Sequence, residues 1–313
     1  MNHLSWQIAE DIRGGCVAIG NFDGVHLGHR ELLTVLLDLA GRQRTHSAVV
    51  TFHPHPISIL RPEMAPPLLT TISERCRLIR QSGIDEVIVL PVTSQLLRMS
   101  ASEFFQQFIV RDLCARGLVE GPNFRFGRDR SGGVAEMRQM CAAAGMDFEV
   151  VELVSGQEQE ISSSRIRQSI QSGAVAAAVR MLGHPFRISG TVEYGARRGA
   201  TLGFPTANLG NIDSLLPAAG VYAGLTDFED RRFVTAVSIG PNPTFGEAAM
   251  KVECFLDGYQ GSLYGQQLNV DLVCEVRKLR RFADIESLIG QIQRDVTQCH
   301  ELIQAGFAGE EEH

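Results

Sequence analysis

Apolar residues in the first 183 positions fall into two alternating periods. Short continuous runs at Cys16–Gly20, Ser47–Phe52, Glu86–Pro91, Gly117–Gly121 and Asp147–Leu153 have the length and apolar content of buried strands. Between and after them, apolar positions recur at helical spacing over Gly28–Arg42, Ser73–Ser82, Ser102–Cys114, Gly133–Ala144, Ser163–Ser172 and Ala174–Leu182. Strands alternating with helices predict a parallel sheet covered on both faces. Ligands of such sheets bind beyond the carboxyl ends of the strands.

The period changes after Gly183-His184-Pro185. Arg187–Tyr194, Gly220–Leu225, Phe233–Ile239, Lys251–Leu256 and Gln267–Val276 read as strands separated by Gly, Pro and Asn turns, which predicts an antiparallel barrel. A helix over Asp284–Leu302 would bury Ile285, Leu288, Ile289, Ile292 and Val296. The expectation is an α/β domain over residues 1–183 followed by an all-β domain with a terminal helix over residues 184–313.

A length of 313 residues suits two domains. The net charge of −7 argues against a general nucleic-acid binder and leaves room for a local phosphate pocket. No secretory signal or membrane-spanning run is read. The seven cysteines are dispersed and form no Cys-x-x-Cys pair, so neither a zinc site nor a disulfide framework is expected, and a cytoplasmic setting fits.

The chemistry concentrates at strand ends. Gly20-Asn21-Phe22-Asp23-Gly24-Val25-His26-Leu27-Gly28-His29 joins the first strand to the first helix. Glycines allow close backbone approach, and a helix N-terminus offers free N–H groups and a positive dipole end to phosphate. His26 and His29 add donors. Thr51-Phe52-His53-Pro54-His55-Pro56 closes the second strand, with His53 and His55 readable either as a pocket rim or as solvated loop residues. In Gly121-Pro122-Asn123-Phe124-Arg125-Phe126-Gly127, the phenylalanines could wall a planar ring or fill the core, and Asn123 is the better polar candidate. Ile161-Ser162-Ser163-Ser164-Arg165-Ile166-Arg167 opens a helix with hydroxyls and places an arginine one turn in, which makes either a plain cap or a phosphate cradle.

His-x-Gly-His with a later Ile-Ser-Ser-Ser-x-x-Arg resembles the nucleotidyltransferase superfamily. The fuller wording of Gly20–His29, Thr51–Pro56 and Asn123–Gly127 is similar to the FMN adenylyltransferase module of the prokaryotic bifunctional riboflavin kinase/FAD synthetase family. The second half supports this independently. Gly199-Ala200-Thr201-Leu202-Gly203-Phe204-Pro205-Thr206-Ala207-Asn208, Asn242-Pro243-Thr244-Phe245 and Val252-Glu253-Cys254-Phe255-Leu256-Asp257 resemble the riboflavin kinase domain. The resemblance implies a Rossmann-like first domain and a six-stranded barrel. It also implies ATP, riboflavin, FMN and FAD as substrates and products, Mg²⁺ as cofactor, and possible delivery of product to apo-flavoproteins.

The resemblance further implies residue roles. Glu253 would be the base for the riboflavin 5′-hydroxyl, with Thr206 and Asn208 holding the metal and Gly199 and Gly203 shaping a flap over the phosphates. His26, His29 and Arg167 would stabilise charge during adenylyl transfer. Gly20, Asn21, Phe22, Asp23, Gly28, Ser163 and Ser164 would place the nucleotide. His53, Asn123, Arg277 and Phe282 would face the flavin, with core packing as the other reading of Phe282. Ser164 stands for the usual threonine and keeps the hydroxyl. Ala200 and Asn242 replace basic residues common in the family, which touches substrate affinity and kinase rate. Three rival readings are an enzyme with one competent domain, a flavin binder without turnover, and an aminoacylating enzyme. The presence of His26, His29, Arg167, Thr206, Asn208 and Glu253 opposes the first two. The acidic balance and the lack of a Lys-Met-Ser-Lys-Ser-like loop oppose the third.

Overall fold

The computed structural model describes residues 12–151, 161–195, 199, 202–242 and 247–307. Their contacts divide the chain into two compact units, Met1–Pro66 with Ile72–Ser162 and Pro67–Thr71 with Ser163–His313.

The first unit contains β1 (Cys16–Ile19), α1 (Leu27–Gln43), β2 (Ser47–His53), α2 (Ile72–Gln81), β3 (Glu86–Pro91), β4 (Gly117–Glu120), α3 (Val134–Ala143) and β5 (Asp147–Val150). The strands form one parallel sheet in the order β3-β2-β1-β4-β5. β1 shows why its run is apolar throughout. Val17 and Ile19 face a cluster containing Phe105 and Phe108, while Cys16 and Ala18 face Leu33 and Leu36 of α1. Both faces are buried, so no polar alternation survives.

The helix expected over Ser102–Cys114 takes a different form. A single α-turn at Ala101–Glu103, closed by a Ser100–Glu103 capping box, continues as a π-helix over Phe104–Asp112. The wider turn still places Phe104, Phe105, Phe108 and Ile109 in the core.

In the second unit, α4 (Ser163–Gln171) and α5 (Val175–Leu182) precede β6 (Phe186–Glu193), β7 (Ala207–Gly210), β8 (Gly220–Phe228), β9 (Arg231–Asn242), β10 (Glu247–Leu256), β11 (Gln267–Lys278) and α6 (Ile285–Phe307). The strands close an antiparallel barrel in the order β8-β9-β10-β7-β6-β11. β7, the one barrel strand that the sequence pattern does not reveal, has only four residues and begins within the Pro205-Thr206-Ala207-Asn208 phrase, too short for alternation to show. Cys299 and Ile303 of α6 pack on Ala223 and Leu225 of β8. Ile285, expected on the buried stripe, is 53 % exposed, while Asp295 is buried. Ile285 is the first residue of α6, and Leu288, Ile289, Ile292 and Val296 further along the expected stripe are half-buried.

Candidate active sites

The turn after β1 is tightly folded. Phe22, Gly24 and Val25 take φ values of 48°, 88° and 39°. Two non-glycine residues in the left-handed region of one short turn mark strain that the surroundings must hold in place. His26 caps α1, its Nδ1 accepting the backbone N–H of His29 at 3.3 Å. A neutral ring that accepts at Nδ1 carries its hydrogen on Nε2, where it serves as a donor. The two imidazoles stack with centroids 3.6 Å apart and planes at 15°. Phe22 leans on His29 with centroids 5.1 Å apart. Desolvation first, then His26 and Arg75, hold the His29 imidazole well below its usual pKa, so it is neutral at pH 7. Asn21 Oδ1 and His29 Nδ1 are sheltered from solvent without a hydrogen-bond partner among the described residues. Unbonded buried polar atoms are rare, and at a helix N-terminus they fit a bound polar ligand.

Asp23 lies beneath the turn and is buried. Arg75 of α2 donates to its Oδ1 at 3.2 Å, to Thr51 Oγ1 at 3.2 Å and to the Phe52 carbonyl at 3.4 Å. Thr51 Oγ1 in turn donates to the Asn21 carbonyl at 2.9 Å. Arg75 therefore fastens the turn to the carboxyl end of β2. Sequence patterning does not single out this residue, because Glu74, Arg77 and Arg80 around it give α2 the look of a solvated face.

Other expected residues of this half divide. Gly20 and Gly28 frame the turn, the second within α1. His53 and Asn123 are exposed at the ends of β2 and just past β4. His55 is a cap, its Nδ1 accepting from the Ile57 N–H at 3.2 Å. Phe126 is buried and packs on Phe104 with centroids 6.2 Å apart, while Phe124 stacks on Phe126 at 5.4 Å, so these rings serve the core. Ser163 and Ser164 occupy the first turn of α4, within the second unit. Arg167, one turn on, donates from Nε to the Pro67 carbonyl at 2.7 Å.

On the barrel, strand register assembles the second site. Asn208 of β7 lies opposite Glu193 of β6 and Glu253 of β10, and Glu253 lies opposite Ser238 of β9. Residues directly opposite share a face. Their chain neighbours Val192, Ala207, Leu209, Val237, Val252 and Cys254 are buried. Asn208, Glu253 and, by the two-residue period, Thr206 therefore face outward together. Gly199 lies beside Thr206. Its carbonyl accepts from the Phe204 N–H at 2.8 Å, and a Cβ at Gly199 would strike the Phe204 carbonyl and come within 3.2 Å of Thr206 Oγ1. A Cβ at Gly195 would likewise strike the Asn208 amide. The glycines thus leave a cradle beside two neutral oxygen donors, which fits a hard divalent cation shared with substrate phosphates. Among the described residues no cluster of three or more His, Cys, Asp or Glu side chains could hold a metal. Gly203 takes φ 85° with open space beside it, the conformation of a turn that glycine favours. Ala200 and Pro243–Phe245 lie outside the described residues.

Arg277 and Phe282 come together, with the guanidinium 5.7 Å from the ring centroid. Arg277 also grips Asp295 of α6, Nε to Oδ1 at 2.9 Å and Nη2 to Oδ2 at 2.6 Å. This pair holds the buried Asp295 of α6 against β11.

Comparison with known proteins bears on both halves. Residues 8–165 match the family described as FAD synthetase, and residues 182–303 match riboflavin kinase. The bifunctional riboflavin kinase/FMN adenylyltransferase of Escherichia coli K12 is 33 % identical over 92 % of each chain. That of Bacillus subtilis strain 168 is 32 % identical over 94 % of each. The chain belongs to the bifunctional riboflavin kinase/FMN adenylyltransferase family. A solved structure from Streptococcus pneumoniae, described as a macrolide-efflux protein, superposes with a TM-score of 0.80 at 28 % identity, covering 90 % of this chain and 92 % of that one. Among the described residues of this riboflavin kinase/FMN adenylyltransferase, no helix is long and apolar enough to cross a membrane. Its substrates are riboflavin, FMN and ATP, and it makes FMN and then FAD.

Proposed function

We propose that adenylyl transfer takes place at the Gly20–His29 turn and phosphoryl transfer on the outer barrel face at Glu253. The sheltered, unbonded Asn21 Oδ1 and His29 Nδ1 support the first assignment. The shared face of Asn208 and Glu253 supports the second.

At the barrel, the Glu253 carboxylate takes the proton of the riboflavin 5′-hydroxyl as that oxygen attacks the γ-phosphorus of ATP, and ADP leaves. Such a base contributes ~10²–10⁴ in rate. Mg²⁺ held by Thr206, Asn208 and the ATP phosphates would neutralise charge on the transferring group. Gly199 and Gly203 let the backbone close over those phosphates.

At the turn, a phosphate oxygen of FMN attacks the α-phosphorus of ATP and pyrophosphate leaves, with no covalent enzyme intermediate. His26 donates from Nε2, and the α1 N-terminus faces the developing charge. Neutral His29 acts by hydrogen bonding rather than as a fixed cation. Gly20, Phe22, Asp23 and Gly28 shape the turn, and the resemblance adds Ser163, Ser164 and Arg167 as phosphate partners. His53 and Asn123 remain the flavin-facing candidates here, as do Arg277 and Phe282 at the barrel, where both also fasten α6. By chemistry, the division between the domains is assigned to residue 183. The reading includes a cytoplasmic setting, supported by seven free cysteines, and release of FMN and FAD to apo-flavoproteins.

The test is chromatography of flavins after incubation with riboflavin, ATP and Mg²⁺. Wild type yields FMN and then FAD, and chelation of the metal stops FMN formation. Glu253→Gln loses FMN formation by ~10²–10⁴ while still converting supplied FMN to FAD. His29→Ala does the reverse. A folded variant that lost both reactions would refute separate sites.

A further inference from the structure

In the first unit the chain adds β2 and β3 on one side of β1 and then β4 and β5 on the other. The β1–β4 crevice is thus the topological switch point, where sheets of this kind bind ligands. β1 and β2 stay paired as far as Ile19 with Val50, but β1 and β4 pair only at Cys16–Gly117 and Val17–Leu118. Past that point a side chain replaces the ladder. Glu120 Oε1 accepts the Ile19 N–H at 2.9 Å from a position only 2 % exposed. The next amide, Gly20 N–H, donates to the Val50 carbonyl at 3.0 Å. The last residues before the phosphate turn are therefore pinned from both sides, by β2 backbone and by the Glu120 carboxyl.

We propose that Glu120 is a positioning residue for adenylyl transfer, its side chain spanning the open end of the β1–β4 crevice and fixing the strand end from which the phosphate turn departs. This rests on the reading of that turn as the adenylyl-transfer site. The groups that face Glu120 are the Ile19 amide from β1 and the Cys141 thiol from α3, and no Lys, Arg or His among the described residues acts on it. Burial, opposed by the Ile19 N–H, pushes the carboxyl well above the usual carboxylate range, so it keeps its proton to higher pH than an exposed glutamate does. Ionisation at alkaline pH would place an unpaired charge in the crevice and loosen the bridge.

Full-length Glu120→Gln and Glu120→Met, with His29→Ala as reference, are assayed from mildly acidic to alkaline pH. One readout is pyrophosphate release from FMN and ATP, and the other is FMN formation from riboflavin. Gln keeps an oxygen for the Ile19 N–H and cannot ionise. Its adenylyl-transfer kcat matches wild type at the acid end and exceeds it at the alkaline end. Met leaves the amide unbonded and lowers that kcat roughly tenfold at every pH, with riboflavin phosphorylation unchanged. Superimposable pH profiles of wild type and Gln, or a Met variant with wild-type kcat, overturn the inference. A His29→Ala protein that still makes FAD from FMN overturns instead the reading of the turn beneath it.

Discussion

Asp23 and Arg75 form an ion pair across 52 residues of sequence, with side chains 2 % and 4 % exposed. A buried carboxylate left without its cation is costly, so Arg75→Met should destabilise the first unit by about 3–5 kcal/mol. A denaturant midpoint measures this, and adding Asp23→Asn should recover part of the loss. FAD formation from FMN should fall with Arg75→Met even where the protein is folded, because the same guanidinium holds Thr51 and, through it, Asn21. FMN formation from riboflavin should persist. The contrast with the histidines shows what a sequence can reveal about a site. His26 and His29 lie three residues apart across a helix cap, so their meeting is a local fact that spacing carries. Arg75 meets Asp23 only through tertiary packing. Glu120 was hidden differently, since a carboxylate ending an apolar strand looks like an ordinary exit to solvent.

Among the elements, those with many periods were legible and those with few were not. α1 has several turns of apolar spacing, and β1 and β2 have continuous apolar runs. β7 has four residues, and the π-helix at Phe104–Asp112 keeps a helical apolar pattern that α-spacing mimics. The stripe read for α6 fails at Ile285, which opens the helix, and passes over Asp295, a residue buried with an ion-pair partner rather than as apolar area. Asp295→Ala should strip Arg277 of its partner in a half-buried position, at a cost of about 2–4 kcal/mol to the barrel's unfolding free energy. Urea unfolding would show it. The β1–β4 junction makes a pH-dependent contribution of known sign. In the unfolded chain Glu120 ionises in the ordinary carboxylate range, whereas in the folded unit it holds its proton to well above that range. Between the two, the folded state binds more protons, so stability falls as pH rises. The contribution is complete below the unfolded pKa and is lost as pH climbs toward the folded one. Glu120→Gln removes that loss, so its thermal midpoint should exceed wild type at pH 8 by a margin that shrinks toward pH 5.

At the scale of the whole molecule, each compact unit carries its own core, and each contains a segment matched by a different enzyme family. FMN is the product of one site and the substrate of the other, so the two reactions need share only a diffusing molecule. A mixture of two defective chains tests this. Glu253→Gln makes no FMN but adenylylates it, and His29→Ala makes FMN but no FAD, so neither alone converts riboflavin to FAD. Mixed in equal amounts with riboflavin, ATP and Mg²⁺, they should restore FAD synthesis. FAD should follow a lag, because FMN must first accumulate in solution, and the lag should shorten as total protein is raised. Chromatography of timed samples resolves riboflavin, FMN and FAD and reads both quantities. Wild type that forms FAD from riboflavin with no lag and no free FMN in solution, while the mixture passes through both, would show that free FMN is not the intermediate within one chain.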